Sequence, residues 1–96
     1  MDEFEQKILK ILAKEFEYTQ GLHVEVLKLQ KLTGMKDEVN AALESLSQQD
    51  MVTLYTEKGK IKLAKITWKG LNEYGEVSLK YGLGKAFYET YAKEGY

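Results

Sequence analysis

Apolar residues fall in two different rhythms along this chain, and the change of rhythm sets out its elements. Phe4, Ile8, Ile11, Leu12 and Phe16 recur at i, i+4, i+7, i+8, one face of a helix, with Leu9 and Ala13 widening the stripe. This predicts a first helix over about 3–18, whose early Glu3 and Glu5 suit the positive end of the helix dipole. A short segment, Leu22-His23-Val24, follows. Val26, Leu29 and Leu32, with Leu27 beside them, predict a second helix over about 25–32 that places all four leucine and valine positions on or next to a core face. Thr33-Gly34-Met35 breaks it, with Gly34 suited to the left-handed residue that ends many helices. Val39, Ala42, Leu43 and Leu46 predict a third helix over about 36–49, with Asp37, Asn40, Ala41, Glu44 and Gln48 outward.

The rhythm then shortens to two. Val52-Thr53-Leu54-Tyr55 alternates cleanly, and the run 61–66 alternates with a slip between Leu63 and Ile66 that predicts a bulge or a strand end. Between them Glu57-Lys58-Gly59-Lys60 has glycine where a tight hairpin needs positive φ. Thr67 is placed to cap a last helix beginning near Trp68. Beyond it Tyr74, Tyr81 and Tyr88 repeat every seven residues, with Val77, Gly84 and Tyr91 in the partner positions of a heptad, although Gly75, Gly82 and Gly84 weaken that helix. Aromatics bury large areas with few rotors, so Tyr74, Val77, Tyr81, Tyr88 and Tyr91 are the expected seam of a homodimer. The expected organisation is one domain, with a body over 1–70 and a helical extension over 71–96. The fold class is α+β: a three-helix core, a β-hairpin and the extension.

Charge changes this picture where composition does not. The chain of 96 residues carries a formal net charge of −1, but residues 51–70 hold five lysines and one carboxylate, a net of +4 on the hairpin and its exit. A local basic patch of this kind attracts phosphate irrespective of overall charge. All 14 basic residues are lysine, so the planar arginine fork that reads guanine with two bonds is not used. There is no cysteine, hence neither a disulfide frame nor thiolate chemistry, and His23 is the one histidine, so no Cys/His metal spacing exists. No nucleophile, base and orienting group can be assembled, and the expectation is a non-enzyme without cofactor or metal. No apolar run approaches the length of a membrane span, and the acidic start does not suit a signal peptide, which makes a cytoplasmic protein the expectation.

The run Val26 to Leu46, with its break at Thr33-Gly34, resembles the helix-turn-helix of bacterial and archaeal winged-helix regulators. Gln49-Asp50-Met51-Val52 sits where those families pass into the wing, with aspartate at 50 where they usually have glycine. Ile66-Thr67-Trp68-Lys69-Gly70 is similar to the leucine-threonine-x-x-glycine that opens the last helix of MarR-type and PadR-type transcriptional regulators. The resemblance covers residues 1–75. It implies double-stranded DNA as partner, with the third helix in the major groove and the lysine-rich wing over 58–65 on the phosphates. The residues it implies at the DNA are Lys36, Asn40, Ala41 and Glu44 from the helix and Lys58, Lys60 and Lys62 from the wing. Asp37, Glu38 and Glu44 put carboxylates on or beside that helix face, and they favour the alternative of a winged-helix module that binds a protein partner without sequence-specific DNA binding.

Overall fold

The computed structural model describes residues 2–19 and 22–74. The heptad positions from Val77 onward lie outside them. The chain is α+β, in the order α1 (Glu3–Thr19), β1 (Val24–Glu25), α2 (Val26–Thr33), α3 (Asp37–Gln48), β2 (Val52–Glu57), β3 (Lys60–Ile66) and α4 (Trp68–Tyr74). The three strands form an antiparallel sheet in the order β1-β3-β2. The short segment around Val24 thus supplies the third strand, pairing Val24 with Ala64 and Glu25 with Leu63.

The helix ends are set by local hydrogen bonds. Asp2 Oδ1 accepts from the Glu5 N–H at 2.8 Å and caps α1. Gly34 takes a φ of 72° and returns its N–H to the Gln30 carbonyl, closing α2. At the end of α3 Met51 N–H reaches the Leu46 carbonyl and Asp50 N–H the Ser47 carbonyl, the paired bonds of a Schellman closure. That closure requires a left-handed residue at position 50, and Asp50 adopts φ 60°. Replacing Asp50 by glycine removes the Cβ penalty of this conformation, partly offset by a freer unfolded chain. We expect Asp50→Gly to stabilise the protein by about 0.5–1 kcal/mol, raising Tm by about 3–6 °C in thermal unfolding. An unchanged or lower Tm would show that aspartate is unstrained there.

One core joins all the layers. Ile8, Leu12 and Phe16 of α1 meet Leu29 of α2, Val39, Leu43 and Leu46 of α3, Ile66 of β3 and Leu71 of α4, every one of them fully buried. Burying a side chain of this size contributes about 1.5–3 kcal/mol relative to exposure. Leu27 and Leu32, expected at or beside the core, are instead 65% and 57% exposed. The reason is helical drift: residues spaced by three fall about 60° further round at each step. The face begun by Val26 and Leu29 has therefore turned away by Leu32.

The strand irregularity lies earlier than the alternation suggested. Tyr55 pairs with Leu63 and Thr56 with Ile61, so Lys62 is the extra residue of a bulge on β3. The bulge repairs the parity of the strand. Ile61 packs against the core together with Ala64 and Ile66, while Leu63 pairs with exposed Tyr55 on the opposite face. Lys65 is also buried, because β3 is the central strand and its C-terminal end is covered on both faces.

Candidate nucleic-acid interface

The hairpin turn between β2 and β3 has two central residues, Lys58 and Gly59, with φ of 53° and 76°. Positive φ at both positions marks the turn whose twist matches that of the paired strands. The turn carries the hairpin out beside the start of α2 and α3, and an open groove of ≈ 720 Å³ runs between them. Lys36, Gln30 and Asn40 line its helical wall, and Lys60 and Lys62 line its hairpin wall. Leu27, Tyr55, Ile61 and Leu63 supply apolar surface, and Glu25 and Glu57 supply the acidic groups.

Four of the seven residues implied at the DNA thus meet in one groove: Lys36 and Asn40 from the third helix and its approach, Lys60 and Lys62 from the hairpin. The three lysines are exposed and Asn40 is half-buried. Lys62 owes its position to the bulge, since an unpaired extra residue re-aims its side chain relative to the regular ladder. Lys58 is exposed at the hairpin tip, outside the groove lining. Glu44 is exposed further along α3 and does not line the groove. Ala41 opens instead on a second recess with Phe4, Met35, Asp2, Glu5 and Glu38. Glu38 is therefore turned toward other carboxylates rather than toward the lysines, and the two walls of α3 differ in charge. Tyr74 is the last residue of α4.

Gln30, Leu27 and Tyr55 line the groove without having been singled out. The outward parity of Tyr55 within the clean alternation of Val52 and Leu54 was a usable signal. Nothing in local spacing marks Gln30, because its role depends on a residue ten positions away. Gln30 Nε2 donates to Asn40 Oδ1 at 3.4 Å, linking α2 to α3 across the groove wall.

Two basic groups elsewhere have shifted titration. Burial pushes the Lys65 ammonium below the usual lysine range. His23 is lowered mainly by desolvation and further by the nearby charge of Lys65. These groups lie toward the covered end of β3, where the register places residue 23 next to Lys65, and they are not part of the groove lining. Among the described residues no cluster of three or more His, Cys, Asp and Glu could hold a metal, and no helix is long and apolar enough to cross a membrane.

No family model, curated protein or solved structure matches the chain. The functional reading therefore stands on the geometry of the groove and on the residues that line it.

Proposed function

We propose that this chain is a winged-helix DNA-binding protein of the MarR/PadR type, a cytoplasmic homodimeric transcriptional regulator. In this reading α3 enters the major groove and the β2–β3 hairpin is the wing that holds phosphates. The observation that carries it is the shared groove: Lys36 and Asn40 stand opposite Lys60 and Lys62, although the two pairs lie at least 20 positions apart in sequence. Three helices followed by a hairpin is also the layout that the resemblance implies.

The test is a fluorescence titration of random-sequence duplex DNA with the protein at several salt concentrations. Each phosphate neutralised contributes about −0.9 to the slope of log K against log salt. Three groove lysines per subunit, Lys36, Lys60 and Lys62, give an expected slope of about −2.7 for one bound subunit and about −5.4 for a dimer. Absence of binding at low salt overturns the reading.

One observation favours the second reading, a protein-binding module. Leu27 is 65% and Tyr55 54% exposed, and both line the groove. Exposed apolar residues beside polar ones suit a protein partner as well as a nucleic acid. Salt dependence separates the two, because an apolar contact is little weakened by salt.

A further inference from the structure

Resting on the DNA-binding reading, we propose that Gln30 and Asn40 form a composite amide edge that selects adenine over guanine, with Gln30 as the positioning residue. The argument starts from the inventory of donors and acceptors. An asparagine amide has one acceptor oxygen and an amino group with two donors, and glutamine has the same. The contact Gln30 Nε2 to Asn40 Oδ1, at 3.4 Å, engages one donor of the first and the oxygen of the second. In this arrangement the Asn40 amide turns its oxygen to Gln30, and the reversed pair would again leave one donor and one acceptor. The Asn40 amino group and the Gln30 Oε1 atom have no other protein partner among the described residues, and both side chains line the groove. The pair therefore offers a donor from Asn40 and an acceptor from Gln30 on one wall.

Base edges in the major groove distinguish between such pairs. Adenine presents an acceptor at N7 and a donor at N6, which the composite edge complements. Guanine presents acceptors at both N7 and O6, so Gln30 Oε1 would face another oxygen. Lys36 lies one helical turn before Asn40, a point charge that holds phosphate without choosing a base. Selectivity then resides in two neutral amides, and it needs neither arginine nor a guanine contact. Contact with the α2 side chain couples the orientation of Asn40 to that of Gln30.

The experiment is enrichment of a random duplex library on the full chain, followed by titration of the enriched duplex and its variants. One position is expected to be adenine. Replacing it by guanine, or by 7-deazaadenine, should weaken binding about 5- to 150-fold. Gln30→Ala should shrink the adenine-to-guanine ratio to below about 3-fold while leaving the salt slope unchanged. In Gln30→Glu the carboxylate can only accept, so Asn40 turns its amino group inward and presents Oδ1, and the adenine preference should be lost or replaced. Thermal unfolding of each variant confirms that it is folded. An adenine preference that survives both Gln30 variants overturns the positioning role. Salt-dependent binding with no preferred adenine overturns the inference and leaves the DNA-binding reading intact. No duplex binding at low salt overturns both.

Discussion

Replacing Lys60 and Lys62 together by glutamine is expected to weaken binding to random duplex DNA by about 10²-fold per bound subunit at about 50 mM salt. The estimate follows from counterion release. Each lost phosphate contact removes about 0.9 from the slope of log K against log salt, which at about 50 mM amounts to a little over one decade of affinity. Two contacts per bound subunit also make the slope less steep by about 1.8. Both lysines are exposed, and substitutions at such sites usually move stability by no more than about 0.5 kcal/mol, so the variant should unfold at nearly the wild-type temperature. Fluorescence anisotropy across a salt series checks both numbers. An unchanged slope would remove the hairpin from the DNA and favour the protein-binding reading, in which Leu27 and Tyr55 carry the contact. The same double variant separates a phosphate clamp from lysines that only keep an exposed hairpin soluble, since solubility alone does not alter a salt slope.

Gly70→Ala is expected to destabilise the protein by about 2–4 kcal/mol, which lowers Tm by about 10–25 °C for a chain of this size. Helix propensity alone argues the other way, since alanine is favoured over glycine by about 1 kcal/mol in a helix interior. Packing decides the sign. Gly70 is in the first turn of α4, and a Cβ there would strike the Met51 carbonyl oxygen and come within 2.7 Å of Ile66 Cγ1. That carbonyl is not free to move, because it accepts the Thr67 N–H at 3.0 Å. The same corner holds Thr67 Oγ1, which donates to the Asp50 carbonyl at 2.6 Å and accepts the Gly70 N–H at 3.1 Å, and Lys69 Nζ, which donates to the Gln49 carbonyl at 3.0 Å. The corner ties the end of α3 to the start of α4 through backbone groups on both sides. Adding a methyl group there would therefore displace main chain rather than a flexible side chain, and overpacking of that kind costs about 1–3 kcal/mol before any hydrogen bond is lost. Urea unfolding gives the free energy directly, and a stability equal to or above wild type would show that propensity outweighs the contact.

This corner also shows how a motif can be visible in sequence while its cause is not. Threonine followed three residues later by glycine is legible as a helix start, and Thr67 does cap α4. The requirement for glycine at 70 depends on Met51, nineteen positions earlier, and no local pattern encodes that approach. Asp50 is similar in kind. Its left-handed backbone follows from the way α3 closes, and the side chain gives no more than tolerance of that conformation.

Alternation and helical spacing by themselves determined the types and order of the helices and of the two hairpin strands, because a side chain's burial repeats with the period of the backbone that carries it. The core faces of α1 and α3, the glycine break after α2 and the tight hairpin at Lys58-Gly59 all follow from that local physics. The clustering of lysine at 58, 60 and 62 was equally legible as composition. Only the tertiary structure decided which of these residues share a surface. The bulge at Lys62 reassigned the strand faces, helical drift turned Leu32 outward, and the crossing of α2 and α3 sent Asn40 into the groove but Ala41 and Glu38 into the acidic recess. It also brought Gln30 to Asn40. Each of these outcomes rests on angles and registers between elements, which arise from packing the whole core at once and leave no trace in the spacing of any single segment.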